Sequence, residues 1–471
     1  MSSSEQPPSN ESRSEPPSRG WQGRVAYHGH PGADFAYRPL EIIVRGDDAK
    51  EFVQERFETA DLEEDDIDEE YVRLKILQEG VDVLELIQDL QDAGFDAEPN
   101  YVMFAHCGCG CGCVHPAFVC GNPLYGSPLY GSPLYGSPLY GSPLYASARP
   151  RVNPLYASSL FAGDYRATGV QRSSAEPANG PAGGVAARGA GGQAPSDNAK
   201  VIILDTGFPV DQHVPADPDW PLAFMGLPNL GNDRDAVDED GDLELDAAGG
   251  HGTFIAGIIH RLAPCDGFEL GAVMHPAGDV DQFTLGKRIN KIRQQGIRSV
   301  MPDAQTLLNL SFGGYAPSMP YLAKRIKQFQ RQTKAVVVAS AGNDGTCRPI
   351  FPAALPGVIS VGAIGPDGPA PFSNFGPWVR ACAPGVAIYS TFVAFDGPEL
   401  DVGGKDPDEF DGWARWSGTS FAAPIVVAAL AREIERTGGT ALEAVARIID
   451  APELLRIRNL GTVINLAPPT D

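Results

Sequence analysis

The feature that most restricts this chain is a set of short apolar runs in its C-terminal half, separated by stretches with helical spacing. Val201-Ile202-Ile203-Leu204 is the first, and 306–310, 335–339 and 358–361 are similar, largely apolar runs. Helix candidates lie at 252–261, 283–295, 320–333 and 419–436. A strand that is apolar at nearly every position must be covered on both faces, as in a parallel sheet flanked by helices. The expected fold class is therefore α/β, a mostly parallel sheet with helices on both faces over residues 199–471, together with a small α+β domain N-terminal to it.

That smaller domain is expected over 38–106. Leu40-Glu41-Ile42-Ile43-Val44, the alternating Tyr71-Val72-Arg73-Leu74-Lys75-Ile76-Leu77 and Tyr101-Val102-Met103-Phe104 are strand candidates. Helical spacing covers 49–57 and 81–92, with Gly94 as a stop. Residues 1–37 are polar and Pro-rich and are expected to form a disordered leader. Residues 107–198 read as a low-complexity linker. They open on Cys107-Gly108-Cys109-Gly110-Cys111-Gly112-Cys113 and continue with a five-residue unit, Pro123-Leu124-Tyr125-Gly126-Ser127, repeated onward to Tyr145. Units that short cannot form a solenoid layer. The 54 Gly and 42 Pro of the 471 residues fit long stretches outside any compact body.

A formal net charge of −24 argues against a nucleic-acid partner, because an acidic surface repels phosphate. No run of 18 apolar residues is present, so no membrane partner is expected. The polar first twenty residues lack the apolar core of a secretory signal, which points to a cytoplasmic location, with unconventional export as the alternative. The eight cysteines form one crowded group, Cys107 to Cys120, and three scattered positions, Cys265, Cys347 and Cys382. That is not the even framework of a disulfide-stapled secreted domain.

Three of the apolar runs end in small or polar clusters: Asp205-Thr206-Gly207, Ser311-Phe312-Gly313-Gly314 and Ser340-Ala341-Gly342-Asn343. In open α/β sheets, ligands bind outside the carboxyl ends of the strands, so these clusters gather at one rim. A nucleophilic hydroxyl needs a base, and the base needs a group that orients it. Asp205, His251 and Ser420 stand in an order known for such triads. His251 and Ser420 both fall at helix starts, where unpaired amides and the helix dipole favour developing negative charge. Asn343 supplies a side-chain amide donor for an oxyanion, beside the backbone amide of Ser420.

The segments Asp205-Thr206-Gly207, Gly250-His251-Gly252-Thr253, Ala341-Gly342-Asn343 and Gly418-Thr419-Ser420-Phe421-Ala422-Ala423-Pro424 resemble the signatures of the subtilase family of serine proteases. Asn309 to Gly314 resembles that family's substrate-aligning strand, and Phe351-Pro352-Ala353-Ala354 through Ala363 its pocket wall. The resemblance covers roughly 199–466. It implies a serine endopeptidase with no cofactor required for catalysis: Asp205 orients the imidazole, His251 is general base and then acid, Ser420 attacks the peptide carbonyl, and Asn343 binds the oxyanion. Ser311, Phe312 and Gly313 would align an extended peptide or protein substrate, and Ile350 would border a pocket for a small or medium apolar side chain. Two departures stand out. Phe254 occupies the place of a second family His, and 392–416 is longer than usual, rich in Asp and Gly, with Trp413 and Trp416.

The 38–106 unit resembles the inhibitor-type propeptide of the same family, although only three strands are legible where four are usual. The resemblance implies that the N-terminal domain is an intramolecular inhibitor removed by cleavage within 104–199. The acidic stretch around Asp238, Asp240 and Asp242 could hold calcium, although its phase does not fit an EF-hand loop. Cys107, Cys109, Cys111 and Cys113 could hold zinc or copper(I), although the spacing is tighter than in ordinary zinc sites. A second class of function stays open here: a regulatory or metal- or partner-binding protein in which the Cys-rich repeat segment is the functional part.

Overall fold

A computed structural model of the chain describes residues 25–28, 35–64, 70–78, 80–105, 198–223, 233–241, 243, 245–264, 267–297, 305–397 and 409–466. The Cys-Gly run and the Pro-Leu-Tyr repeats lie outside these residues.

The N-terminal unit contains β1 (Ala26–His28), β2 (Phe35–Arg45), α1 (Asp47–Gln54), β3 (Thr59–Glu64), β4 (Tyr71–Ile76), α2 (Val83–Asp92) and β5 (Ala97–Phe104). Its strands are antiparallel in the order β5-β2-β4-β3, with β1 on β2. Alternation along β2 and β4 turns Ile42, Val44, Val72 and Leu74 toward Val53, Leu86, Ile87 and Leu90 of the two helices, closing a core of their own. Asp82 caps α2 by accepting from the N–H groups of Leu84 and Glu85.

The described residues of the unit thus form five strands, not the three legible in the sequence. The strand β3, with the sequence TADLEE, carries no apolar alternation and exists through its pairing with β4. The strand β1 and the start of β2 fall inside the expected leader, where Ala36 is buried in an apolar cluster with Val102 and Phe104.

The larger body follows the expected α/β plan. Its elements are β6 (Ala199–Asp205), β7 (Phe208–Pro209), β8 (Arg234–Asp235), α3 (His251–Leu262), β9 (Gly267–Ala272), β10 (Asp279–Asp281), α4 (Gln282–Ile297), β11 (Gln305–Leu310), α5 (Pro320–Thr333), β12 (Val336–Ser340), β13 (Val358–Gly365), β14 (Gly368–Pro369), β15 (Ala381–Pro384), β16 (Ile388–Asp396), β17 (Glu409–Trp416), α6 (Thr419–Thr437), α7 (Ala441–Val445), β18 (Arg456–Ile457) and β19 (Gly461–Val463). The main sheet runs β18-β19-β15-β13-β12-β11-β6-β9. Every pairing from β19 to β9 is parallel.

The apolar runs are continuous because both faces of this sheet are covered. Val201, Ile203, Leu307, Val336 and Val338 join one core with residues of α3 and α6. Their neighbours Ile202, Leu204, Leu308, Leu310 and Val337 join the opposite core with Leu285, Ile289, Leu322, Ile326 and Phe329 of α4 and α5. From β6 the chain passes to β9 on one side and then to β11 on the other. The crevice at the carboxyl end of β6 is therefore the topological switch point, where such sheets bind ligands.

The N-terminal unit docks on the α4–α5 face. The strand β5 pairs with β10, setting Phe104, Met103 and Val102 against Asp279, Val280 and Asp281. Arg38 bonds Asp279 at 2.5 Å, and all three of Arg38, Asp279 and Asp281 are largely buried. Glu98 accepts from the Tyr321 N–H at 2.9 Å and from the Gln282 amide at 3.0 Å, while Asn100 accepts from the Phe283 N–H at 3.3 Å. Two residues of the unit thereby satisfy first-turn amides of α5 and α4, which have no intrahelical acceptor. Among the described residues no helix is long and apolar enough to cross a membrane.

Candidate active site

The carboxyl edge of the sheet brings Asp205 and His251 into direct contact. Asp205 is the last residue of β6, fully buried, and its Oδ1 accepts from the N–H of Thr206 at 2.9 Å. His251 opens α3 and is 2% exposed, and its Nδ1 lies 2.8 Å from the same Asp205 oxygen. With the carboxylate accepting there, Nδ1 carries the proton and Nε2 presents a lone pair. Nε2 is buried and has no hydrogen-bond partner among the described residues.

The ring sits between Trp416, edge-on at 5.5 Å, and Phe421 at 5.4 Å. These walls keep water from the imidazole and limit its rotation. Phe254, one turn further along α3, extends them. It is fully buried, 4.6 Å from the Phe421 ring and 5.9 Å from that of Trp416. An aromatic residue here therefore has a packing role.

Backbone constraints place the imidazole. Gly250, the residue before it, has φ +78°, and a Cβ there would lie 2.6 Å from the Phe392 ring, so only glycine fits. Its N–H donates to Asp235 Oδ2 at 2.8 Å, and the Val237 N–H donates to Asp235 Oδ1 at 2.9 Å. The Thr206 hydroxyl accepts from the Gly252 N–H at 3.0 Å and also bonds Asp235. Burial pushes the Asp235 carboxyl up to about 7, against the three hydrogen bonds that favour its charged form. Sequence reasoning missed Asp235. It lies in the short strand β8, amid an acidic stretch that gives no sign of which carboxylate turns inward.

Ser420 is the second residue of α6 and is fully buried. Its Oγ donates to the Ser311 carbonyl at 2.9 Å, and the Ser311 hydroxyl donates back to the Ser420 carbonyl at 2.8 Å. This reciprocal pair ties the start of α6 to the end of β11. The Ser420 hydroxyl is thus aimed at Ser311, and the hydrogen bond from Ser420 to His251 is not made here. A serine hydroxyl turns about one bond, and hydrogen bonds of this kind commonly tighten only with substrate in place.

Asn343 follows β12. Its Oδ1 accepts from both the N–H and the hydroxyl of Thr419, each at 2.8 Å, leaving its amide nitrogen on the side of Gly418. Gly342 has φ +99°, and a Cβ would meet the Asn374 amide nitrogen at 2.4 Å. Oδ1 of Asn374 holds the following turn by accepting from Asp344 and Thr346 N–H groups at 3.0 and 3.1 Å.

Of the expected substrate residues, Gly313 exchanges main-chain hydrogen bonds with Phe104 of the N-terminal unit, at 2.9 and 3.0 Å. Phe312 and Ile350 are fully buried in one apolar cluster with Tyr101 and Met103. The long segment before the nucleophile is an antiparallel hairpin of β16 and β17, whose Phe392 and Trp416 pack beside His251 and Phe254. Trp413 stacks on Tyr389 at 5.2 Å.

The metal expectations fare differently. Among the described residues no group of three or more His, Cys, Asp or Glu side chains is arranged to hold an ion. Asp238 directs its two carboxylate oxygens to the N–H groups of Gly241 and Leu243, and Asp246 accepts from the Glu239 N–H. These carboxylates close the loop onto its own backbone N–H groups. Asp242, Cys107, Cys109, Cys111 and Cys113 lie outside the described residues, as does Cys265. Cys347 is exposed, and Cys382 is buried with its thiol pushed up to about 12 by burial.

The family model described as "Subtilase family" matches residues 196–449. A probable subtilase-type serine protease of Deinococcus radiodurans is 30% identical over 205 residues, which make up 40% of this chain and 26% of that one. A thermophilic serine proteinase of a Bacillus species is 29% identical, over 49% of this chain and 51% of its own. Subtilisin DY of Bacillus licheniformis is 27% identical, over 50% and 76%. The chain thus spans about a quarter of the first relative and about half of the second. Among solved structures, the prenylagaramide maturation protease PagA matches with a TM-score of 0.40 at 24% identity, covering 57% of this chain and 92% of that one.

Proposed function

Because the chain belongs to the subtilase family, we propose that it is a serine endopeptidase in which Asp205, His251, Ser420 and Asn343 carry the reaction. The observation that carries this reading is the buried imidazole whose Nδ1 is held at 2.8 Å by Asp205, whose Nε2 has no partner among the described residues, and whose ring lies 5.4 Å from that of Phe421, the residue next to Ser420. Turning the Ser420 hydroxyl from Ser311 toward Nε2 completes the relay. His251 then takes the proton as Oγ attacks the peptide carbonyl, and Asp205 stabilises the imidazolium. The oxyanion falls to the Asn343 amide and the Ser420 N–H at the N-terminus of α6. His251 returns the proton to the leaving amine, and water releases the acyl group by the reverse path.

The N-terminal unit acts as an intramolecular inhibitor in this reading. Support comes from β5, which lies along β10 and Gly313 where an extended substrate would lie. The substrate is a peptide or protein. The reading in which the Cys-rich repeats are the functional part rests on residues outside those described, and nothing in the site favours it.

The test is labelling by a fluorophosphonate probe after removal of the N-terminal region. Wild type is expected to label and Ser420→Ala is not; unlabelled wild type, shown to be folded, would overturn the proposal. Loss of such a nucleophile lowers kcat by about 10⁶.

A further inference from the structure

The outer lip of the groove that receives β5 carries two carboxylates. Asp279 and Asp281 lie on β10, and the register sets them directly opposite Phe104 and Val102 of β5. Residues directly opposite in an antiparallel pair turn their side chains to the same face. Tyr101 and Met103, which alternate with them along β5, turn the other way, into the apolar cluster shared with α4 and α5. Both carboxylates are buried beneath the N-terminal unit, Asp279 wholly and Asp281 to 5% exposure.

Buried carboxylates are costly without cations, and among the described residues every ion pair they make comes from the N-terminal unit. Arg38 reaches over from β2. Its Nη1 donates to Asp279 Oδ2 at 2.5 Å, and its Nε lies 3.5 Å from Asp281 Oδ2. Arg73 of β4 lies 3.8 Å from Asp281 Oδ1. Burial raises the Asp281 carboxyl, but the two guanidiniums outweigh it and hold the group below its ordinary value. Asp279 Oδ1 is buried with no hydrogen-bond partner among the described residues, so the site has an acceptor to spare. An occupant of the groove with no basic side chain on this face would leave both carboxylates desolvated and unmatched.

We propose that Asp279 and Asp281 are specificity residues that select peptides with arginine or lysine at one or both of two alternating positions, those that take the places of Phe104 and Val102, and that Arg38 is the intramolecular occupant of this charge site. This rests on the endopeptidase reading and adds to it the class of substrate. The end of β5 runs toward the nucleophile, because Phe104 pairs with Gly313, and Ser311, two residues before Gly313, holds Ser420 Oγ at 2.9 Å. The place of Phe104 is therefore the nearer of the two to the bond that is cut.

The test uses the chain nicked between the two bodies by an added protease, which is then removed, with both fragments kept together. It is given peptides of one sequence in which a single arginine, or its uncharged isostere citrulline, is moved through the residues before the cut bond. Wild type is expected to favour arginine by about five- to tenfold in kcat/KM at two positions two residues apart, with no preference at the position between them. Asp279→Asn is expected to remove the preference nearer the cut, and Asp281→Asn the one further away; asparagine keeps an acceptor for the Thr284 N–H that Asp281 caps. Each ratio is taken within one preparation, so a change in how tightly the N-terminal fragment holds cancels. Equal rates for arginine and citrulline at every position in wild type, or preferences that survive both substitutions, overturn the proposal and leave the endopeptidase reading standing. A chain that neither labels with the fluorophosphonate probe nor cuts any peptide overturns both, and a Ser420→Ala chain that cuts with the same preference removes that preference from this site.

Discussion

In the proposed reaction Asn343 is structural on one end and chemical on the other. Its carbonyl oxygen is engaged by Thr419 twice, so it helps hold the start of α6 against the end of β12. In the proposed reaction the amide nitrogen is the end that donates to the developing oxyanion. Asn343→Asp keeps an acceptor for Thr419 but removes the donor and adds a negative charge where charge develops. Steady-state kinetics are expected to show kcat lower by at least about 10² to 10³, with KM nearly unchanged. An equal loss in KM would assign Asn343 to substrate binding instead. Asp235 works differently, since it touches neither the imidazole nor the hydroxyl but fixes the peptide that carries the imidazole, through Gly250 and Thr206.

At the scale of elements, the hairpin of β16 and β17 is part of the site's scaffold. Its Phe392 fills the space a Gly250 side chain would need, and its Trp416 walls the imidazole. Gly250→Ala therefore combines a left-handed backbone, which costs about 1–2 kcal/mol for other residues, with a clash that must move α3 or the hairpin. In a Ser420→Ala background, which prevents self-digestion, its denaturant midpoint is expected to fall. In the active chain kcat is expected to fall more than KM rises, because the displaced residue is His251. Unchanged stability and kcat would show that the hairpin yields freely.

At the scale of the molecule, the N-terminal unit and the larger body share one interface with a built-in pH dependence. Glu98 is buried on docking, which pushes its carboxyl up to about 7, although hydrogen bonds from Gln282 and Tyr321 oppose the shift and Asp96 adds to it. The group is more easily protonated docked than exposed, where its ordinary value is 4.5. Its contribution to docking is therefore complete below that ordinary value and is lost as pH rises through about 7. A chain nicked between the two bodies by an added protease is expected to release its N-terminal fragment faster at pH 8 than at pH 5.5. Glu98→Gln should flatten that dependence, as measured by size exclusion against pH. A Glu98→Gln profile identical to wild type would place the titration elsewhere.

The sequence by itself determined the sheet and its rim. Apolar runs such as Val201 to Leu204 can only be buried on both faces, and Asp205, Ser311 and Asn343 follow such runs directly, so local pattern carried them to one edge. It also contained the glycine positions around His251, because a backbone that must lie close to an aromatic ring admits nothing else. Only the tertiary structure decided what depends on distant pairing: the acidic strand β3, which has no apolar period of its own; the inward turn of Asp235 among many carboxylates; and the capping of α4 and α5 by Glu98 and Asn100. It also decided the register of β5 in the cleft. Hydrogen bonds between backbones carry no side-chain signature, so a strand's neighbour and its alignment emerge only when the whole chain has packed.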